Sequence, residues 1–330
     1  MAEVGRILVV KLSALGDLFH AVPVVHRLRS HYGAAVDWVT QPEYAELIGC
    51  CRDVDEVLCF PRRGALKDTM AFRRRLRARK YDLAIDLQGL MKSGLVLGMA
   101  RAGRKLSPSS PREGSGIFAG ETPPATAKTP HALDRLCDTL RYLEIEPKPL
   151  RYLFDFPKSE PLPGASPRLA VAPRSRWPAK DWPVEKYIDL IRRLQQERPL
   201  DVFILGGPGD AELGSHMKET LGEGVWNLCG RRPLLELGDV LKQVDCLVCN
   251  DSGPMHFAAA VGTPLVALFG PTDPALTGPW SDRATVLRPL PGPEGYPDHR
   301  SYKQGGNAMI GRLTVEEVAA AVEARLPRRG

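Results

Sequence analysis

One segment late in the chain constrains the fold more than any other part of the sequence. Residues 250–274, NDSGPMHFAAAVGTPLVALFGPTDP, follow an apolar run and join a small polar turn, a short apolar helix and a second apolar run. This order is typical of a buried strand that leads into a helix in a parallel sheet. Pro254 suits the first helical turn, and Asp251 or Ser252 is predicted to cap it. The N-terminus of such a helix favours the binding of an anion, although an ordinary capped helix explains the pattern as well.

The size and composition indicate a globular protein of two domains. The chain has 330 residues, of which 43% are hydrophobic and 25% charged. No apolar run reaches the roughly 18–20 residues that span a bilayer, and Lys11 and Asp17 interrupt the apolar stretch that a signal peptide would need. The seven scattered cysteines, including Cys246 and Cys249 in a predicted strand, are expected to be reduced thiols. We therefore expect a cytoplasmic protein without a transmembrane segment.

Positive charge is concentrated in one short part of the chain. Residues 62–80 hold nine Lys or Arg and one Asp, or 9 − 1 = +8, whereas the whole chain carries +6. Such runs usually form a solvated helix face, and this one also fits a docking surface for an anionic partner. Because interleaved aromatic residues are missing, nucleic acid is not the expected partner, and a phosphorylated headgroup at a membrane surface fits the charge.

Strand and helix patterns alternate through both halves of the chain. Strands are predicted at residues 6–10, 36–40, 57–60, 81–87, 168–172, 201–205, 245–249 and 264–269. A proline-rich stretch at 157–167 reads as a linker, which gives domains 1–160 and 161–330. The alternation predicts two doubly wound parallel-sheet (Rossmann-like) domains of the α/β class that face each other across a cleft. The final helix, at 314–326, is a candidate to pack back onto the N-terminal domain.

Polar loops are predicted at the carboxyl ends of several strands, where ligands bind in such sheets. In KLSALGD, residues 11–17, we expect Gly16 at a tight turn, and Asp17 fits either a first-turn helix acid or a general base. In APRSRWPAKDWP, residues 172–183, two arginines, a lysine and two tryptophans suit a diphosphate, and chance charges on a surface loop are the alternative.

A third loop, GGPGD at residues 206–210, is rich in glycine but lacks the GxGxxG spacing, so it indicates NAD only weakly. Asp210 fits a contact with ribose hydroxyls. The chain also lacks the GxxxxGK[ST] motif, which argues against a P-loop nucleotide hydrolase. Residues 107–130 are predicted as a long mobile loop without an assigned role.

Three segments, in this order and spacing, resemble the lipopolysaccharide heptosyltransferases of glycosyltransferase family 9. They are RILVVKLSALGDLFHAVPVV at 6–25, DLQGLMKSG at 86–94, and the segment at 250–274. The resemblance implies an inverting enzyme of the GT-B fold. Its C-terminal half would bind ADP-heptose as a substrate, and its N-terminal half would bind the growing inner core of lipopolysaccharide. No cofactor and no metal ion is expected.

The family's site residues carry over onto matching positions of this chain. Asp17 matches the proposed catalytic base, and Lys180 matches the lysine that contacts the donor diphosphate. The donor-binding candidates are Ser175, Asp210, Asp251, Ser252, Gly253 and His256. The acceptor-binding candidates are Ser13, Gly16, Arg62, Arg63 and Arg73. Asp210 is shorter than the glutamate common at that position, and His256 also fits a hydrogen-bonded core histidine.

The implied chemistry is a direct displacement at the anomeric carbon with oxocarbenium character. Lys180 and the N–H groups at Ser252 and Gly253 would stabilise the departing diphosphate. The acceptor would be an anionic lipid-linked glycan at the inner face of the inner membrane, where the enzyme would act as a peripheral protein. Two alternatives remain: a related transferase with another nucleotide sugar or a protein acceptor, and a non-catalytic nucleotide- or glycan-binding module. Residues 292–309 lack the cysteine-containing segment of some family members.

Overall fold

The structure is a computed structural model that describes residues 4–61, 65–164, 167–291, 295–296 and 309–327. The chain divides into two compact units, Met1–Asp155 and Phe156–Gly330. The division lies 160 − 155 = 5 residues before the boundary expected from the proline-rich stretch. Each unit is built around its own parallel sheet.

The N-terminal sheet has five parallel strands in the order β3-β2-β1-β4-β5. They are β1 Arg6–Val10, β2 Ala35–Thr40, β3 Glu56–Cys59, β4 Tyr81–Asp86 and β5 Ala102–Leu106. The central strands β1 and β4 are almost continuously buried, as expected for strands covered on both faces. The strand order reverses between β1 and β4, so their carboxyl ends form the switch point where ligands bind in doubly wound sheets.

Helices cover both faces of this sheet. They are α1 Leu15–Tyr32, α2 Ala45–Gly49, α3 Leu66–Arg77, α4 Met91–Met99 and α5 Ala132–Tyr142. From β1 through β2 to β3 the chain moves toward one side of the sheet, and from β3 through β4 to β5 it moves toward the other side. Since each crossover is right-handed, α1 and α2 lie on one face of the sheet and α3 and α4 lie on the other. Phe72 and Leu76 of α3 and Val96 and Leu97 of α4 share one apolar cluster, and α5 packs beside α1.

The C-terminal sheet repeats this plan with six parallel strands in the order β11-β10-β9-β6-β7-β8. They are β6 Arg168–Ala172, β7 Asp201–Ile204, β8 Val225–Asn227, β9 Cys246–Asn250, β10 Leu265–Leu268 and β11 Ala284–Leu287. The order reverses between β6 and β9, which is therefore the second switch point. The predicted fold class, two doubly wound α/β units, is confirmed.

The C-terminal helices are α6 Val184–Glu197, α7 Ala211–Leu221, α8 Leu237–Lys242, α9 Gly253–Val261, α10 Pro274–Thr277 and α11 Val315–Glu323. The last helix, α11, buries Val318 and Val322 in the core of its own unit beside α6. Just before it, the Leu313 carbonyl accepts a hydrogen bond of 3.1 Å from Trp182 Nε1. Among the described residues, no helix is both long and apolar enough to cross a membrane.

Residues 107–130 are more ordered than their composition predicts. They contain a 3₁₀ turn, Ser115–Phe118, and the Arg112 N–H donates to the Gly89 carbonyl at 2.9 Å. A Cβ atom on Gly94 of α4 would lie 2.8 Å from the Ser115 carbonyl oxygen, so glycine allows this turn to pack closely on the helix. Hydrogen bonds to neighbouring loops hold the segment, and periodicity in the sequence does not reveal such bonds.

The seven cysteines are free thiols, as predicted. Cys246 and Cys249 lie buried in β9, and burial raises the pKa of the Cys246 thiol to about 12. Their CxxC spacing is therefore part of strand packing.

Candidate active site

The loops after β1 and β4 are joined at the N-terminal switch point. Lys11 is buried and donates from Nζ to the Leu87 carbonyl at 2.9 Å. The backbone N–H groups of Leu12 and Ser13 both donate to Gln88 Oε1 at 3.2 Å. These contacts fix the entry to α1 against the DLQGL segment, so the first turn of α1 has a defined position at the sheet edge.

Asp86, the last residue of β4, organises the same region. Its Oδ1 accepts from the N–H groups of Gln88 at 2.7 Å and Gly89 at 3.0 Å, and its Oδ2 accepts from the Ser93 hydroxyl at 2.8 Å. Burial raises the pKa of the Asp86 carboxyl, and burial lowers the pKa of the Lys11 ammonium. Both side chains are therefore held in place by hydrogen bonds despite the cost of burying their charges.

A cleft of about 220 Å³ opens beside this platform. Its walls include Asp17 of α1 and three basic side chains, Lys11, Arg112 and Arg135. The Asp17 carboxylate is half-buried and accepts from the Ala14 N–H through Oδ2 at 3.3 Å, which leaves Oδ1 for other contacts. One carboxylate among three cations suits a ligand that combines an anionic group with a hydroxyl.

Two histidines support the rear of the cleft. His20 follows Asp17 by three residues and so lies on the same side of α1. Its ring contacts the ring of His131 edge-on, with centroids 5.1 Å apart, and His131 Nδ1 accepts from the Leu133 N–H at 3.2 Å at the start of α5. This contact ties α1 to α5 next to the candidate base.

The predicted acceptor residues do not all lie at this cleft. Gly16 is helical within the first turn of α1, without a positive φ, so the expected tight turn is wrong. Ser13 lines a neighbouring cleft of about 230 Å³. Arg73 is exposed on α3 and lines neither cleft, because α3 runs along the sheet face. Arg62 and Arg63 lie outside the described residues.

Lys180 and Asp251 form an ion pair at the C-terminal switch point, with 2.5 Å between Nζ and Oδ2. Their side chains are 13% and 9% exposed, so the pair is well shielded from water. Lys180 also lies 4.9 Å above the centroid of the Trp177 ring, and the Thr272 hydroxyl donates to Asp251 Oδ2 at 2.8 Å. The pair thus links the loops after β6, β9 and β10.

Asn250 at the end of β9 anchors the loop that carries Lys180. Its Oδ1 accepts from the Tyr187 hydroxyl at 3.0 Å and from the Trp182 N–H at 3.2 Å. Asp181 Oδ1 accepts from the Ser175 N–H at 2.7 Å, and burial raises the pKa of the Asp181 carboxyl. These buried contacts fix the backbone on either side of Lys180.

The start of α9 differs from the prediction. Ser252 is the N-cap, but its hydroxyl donates to the Asn250 carbonyl at 3.2 Å and caps no helical N–H. Asp251 does not cap the helix either, because its carboxylate is paired with Lys180. The predicted side-chain cap is therefore wrong, and the first turn of α9, which begins at Gly253, is left with N–H groups available to an anion. His256 is buried within that turn.

The remaining donor candidates are partly used by their own loops. Asp210 Oδ2 accepts from the Gly207 N–H at 2.8 Å and closes the GGPGD turn. The Ser175 hydroxyl donates to the Trp177 carbonyl at 2.8 Å. Contacts of these two side chains with a ligand stay predictions.

Sequence reasoning missed several residues that line or support the two sites. Arg112 and Arg135 come from a loop and a helix without any motif, so no sequence signal identifies them. Gln88 and Asp86 lie in the DLQGL segment, and their position after a strand next to β1 is a signal that could have found them. Thr272 lies within the 250–274 segment itself.

Comparison with known proteins gives a consistent family. The model of glycosyltransferase family 9 (heptosyltransferase) matches residues 69–295. Lipopolysaccharide heptosyltransferase 2 of Escherichia coli K12 is 29% identical over 313 residues, covering 87% of this chain and 89% of that protein. Lipooligosaccharide heptosyltransferase 2 of Haemophilus influenzae is 36% identical over 171 residues, and that match spans only 50% of this chain and 49% of the relative.

Solved structures show the same fold. Escherichia coli heptosyltransferase WaaC with ADP superposes with a TM-score of 0.81 at 24% identity, covering 97% of this chain and 99% of that one. The family 9 glycosyltransferase of Veillonella parvula superposes with a TM-score of 0.82 at 21% identity, covering 98% of this chain and 97% of that one. The fold is thus of the GT-B type. Because the family model covers 295 − 69 + 1 = 227 of 330 residues, the chain belongs to glycosyltransferase family 9 and is a glycosyltransferase.

Proposed function

We propose that this enzyme transfers a heptose from ADP-heptose to an anionic inner-core acceptor of lipopolysaccharide, with inversion at the anomeric carbon. The observation that carries the proposal is the position of Asp17 on a cleft lined by Lys11, Arg112 and Arg135. The names of the relatives support the substrates, since several are lipopolysaccharide heptosyltransferases and one was solved with ADP.

On the acceptor side, Asp17 takes the proton of the attacking hydroxyl as its oxygen approaches the anomeric carbon. Positioned general bases contribute about 10²–10⁴-fold to such steps. The guanidinium groups of Arg112 and Arg135 bind a phosphate or carboxylate of the acceptor, which orients the hydroxyl toward Asp17. Arg62, Arg63 and Arg73 stay predictions as further acceptor contacts.

On the donor side, the bond between the anomeric carbon and the β-phosphate oxygen breaks, and ADP leaves with the electron pair. Lys180 and the N–H groups at the start of α9 stabilise the charge that grows on the β-phosphate. In the ligand-free enzyme Asp251 balances the Lys180 ammonium. We propose that the diphosphate takes over this role, so that Asp251 and His256 contact the donor sugar.

The transfer needs no metal ion in this proposal, because Lys180 and the helix start supply the positive charge. Transfer rates in excess EDTA should match those in buffer without EDTA. A complete loss in EDTA that is reversed by added Mg²⁺ would contradict metal independence while leaving the transfer itself intact.

We also propose that the enzyme acts as a peripheral protein at the inner face of the inner membrane, where it meets a lipid-linked acceptor. The excess of positive charge in residues 62–80 supports this location.

A panel of nucleotide sugars tests the function directly. Release of free nucleoside diphosphate is measured with ADP-heptose, other ADP-sugars and UDP- or GDP-sugars, with and without an inner-core acceptor. We expect acceptor-dependent release from ADP-heptose and a product of inverted anomeric configuration by NMR. Turnover with a different nucleotide sugar alone would favour a related transferase, and binding without any turnover would favour a non-catalytic module.

A further inference from the structure

Four large apolar side chains are exposed in one layer of the N-terminal unit. Leu66 and Met70 of α3 are 78% and 63% exposed, Leu95 of α4 is 42% exposed, and Ile117 in the 3₁₀ turn is 77% exposed. Within the described part of this unit, the one other large apolar side chain with comparable exposure is Tyr142, on α5. Isolated exposed apolar residues are common, but their concentration in one layer is typical of an interaction surface.

The elements that carry these residues begin at the carboxyl ends of the strands. Helices α3 and α4 and the 3₁₀ turn follow the carboxyl ends of β3, β4 and β5 in turn. The first turns of α3 and α4 therefore lie at the carboxyl ends of the strands, which is also where the Asp17 cleft lies. Leu66 and Met70 occupy the first two turns of α3, so the most exposed part of the layer lies at the carboxyl ends of the strands, as the Asp17 cleft does.

The same side of α3 carries cations that the fold does not neutralise. Leu66, Met70, Arg73, Arg74 and Arg77 follow the i, i+4, i+7, i+8, i+11 spacing that forms one helix stripe. Arg73 and Arg74 have no ion-pair partner within the described part of the chain, and the same holds for the adjacent Lys67.

Other basic side chains nearby are already paired. Arg75 lies 2.7 Å from Glu56, and Arg79 lies 2.9 Å from Asp37. The contrast separates arginines that are paired with carboxylates of the unit from basic residues that are not. The unpaired residues therefore remain available to an external anion.

We propose that this layer docks on an anionic lipid bilayer, with Leu66 and Met70 inserted among the lipids and Lys67, Arg73 and Arg74 bound to headgroups. Basic amphipathic surfaces with exposed large apolar residues bind in this way. The inference rests on the proposed function for its purpose, because docking at the carboxyl ends of the strands presents the Asp17 cleft to a lipid-anchored acceptor.

Other occupants fit the surface less well. A second copy of the chain would bring the same positive charge against it, which is unfavourable. A nucleic acid would need aromatic side chains for stacking, and the stripe has none. A soluble glycan gives no reason for exposed Leu66 and Met70.

The test is binding of the full chain to vesicles that contain no glycan acceptor. Vesicles of phosphatidylethanolamine and phosphatidylglycerol are compared with vesicles of phosphatidylcholine by flotation. We expect salt-sensitive binding to the anionic vesicles only. The Lys67→Gln/Arg74→Gln variant should bind them about 25-fold more weakly, since each basic residue near an anionic surface contributes about fivefold. The Leu66→Ser/Met70→Ser variant should bind at least about tenfold more weakly.

Matched controls are Leu290→Ser, an equally exposed leucine of the C-terminal unit, and Lys242→Gln/Lys218→Gln, two exposed lysines of that unit. Wild-type-like binding by the α3 variants, or equal binding to both kinds of vesicle, would overturn the inference. So would a concentration-dependent dimer that the Leu66→Ser/Met70→Ser substitutions convert to a monomer, because a second copy would then be the occupant.

An activity comparison separates this inference from the proposed function. The Leu66→Ser/Met70→Ser variant should transfer heptose to a de-acylated, lipid-free acceptor at the wild-type rate and lose at least about tenfold on a vesicle-embedded acceptor. If the wild type transfers heptose to neither acceptor, the proposed function fails, and the vesicle binding measured without acceptor still decides the docking inference.

Discussion

The two switch points place a lysine and an aspartate in equivalent parts of two similar sheets, yet they use them differently. In the N-terminal unit Lys11 and Asp86 are buried and bond to backbone and hydroxyl groups of their own loops. In the C-terminal unit Lys180 and Asp251 bond directly to each other at the surface of the site. The first pair holds the loops of its unit together, and in the proposed function a ligand replaces one member of the second pair.

This difference indicates how one fold can supply two kinds of chemistry. A platform of buried, hydrogen-bonded charges keeps Asp17 in a fixed place, as a general base requires. In the proposed mechanism a diphosphate replaces Asp251 as the partner of Lys180, so that Lys180 lies close to the leaving group. The variants below test this division of roles.

The largest effect is expected for Asp17→Asn. Loss of the base should lower kcat about 10³-fold, while the Kd for ADP-heptose stays within about twofold, because Asp17 belongs to the N-terminal unit. Steady-state ADP release and calorimetry measure the two quantities. Full activity of this variant would remove Asp17 from the mechanism, and the unfolding midpoint in urea controls for stability.

Lys180→Met should lower kcat/KM for ADP-heptose about 10²-fold, since one preorganised donor to a developing anion is removed. Lys218→Met, which removes an exposed lysine of the same unit, is the control and should leave kcat/KM unchanged. If Lys180→Met behaves like the control, the ion pair with Asp251 is purely structural and the contrast between the switch points disappears.

Asp86→Asn tests whether the N-terminal platform contains a buried charge. Burial raises the pKa of this carboxyl above 3.8, so its contribution to stability is complete below that pH and is lost as the pH rises through the folded-state pKa. The wild type should therefore lose free energy of unfolding relative to Asp86→Asn as the pH rises from about 4. Urea unfolding across this range measures the difference, and Asp189→Asn provides the matched loss of an exposed carboxylate. A pH-independent difference would contradict the buried-charge interpretation.

The smallest effect concerns the aromatic ring beneath Lys180. Trp177→Leu should raise the KM for ADP-heptose about two- to fivefold with little change in kcat, which corresponds to the loss of one cation–π contact. Trp177→Phe keeps a ring and should recover most of the affinity. Equal KM values for the two variants would show that the ring does not position Lys180.

Much of the fold was predictable because its central strands are strongly apolar. Strands β1, β2, β6, β7 and β10 were predicted to within one residue of their observed bounds. Strands β5, β8 and β11 were missed, and all three lie at sheet edges. The partly exposed β5, AGRKL, has little apolar character, and β8 and β11 have only three and four residues. Helix α2 is too short to show periodicity.

The candidate site was predictable only in part. The positions of Asp17, Lys180 and Asp251 follow from loops at strand ends together with the family motifs. Their partners do not, since the ion pair between Lys180 and Asp251 joins residues 251 − 180 = 71 positions apart. The cap predicted at Asp251 failed for the same reason, because a long-range contact with Lys180 took its carboxylate. The Ser252 hydroxyl was instead taken by a local contact with the Asn250 carbonyl.

The packing of α11 has a consequence for the order of events during synthesis. The C-terminal core is complete only after Val318 and Val322 have been added, and the Trp182 indole finds its acceptor only at Leu313. The N-terminal unit has all five of its strands once Leu106 has been made. We therefore expect the N-terminal unit to fold while the C-terminal unit is still being synthesised, and the C-terminal unit to fold only after residues 313–322 have emerged from the ribosome.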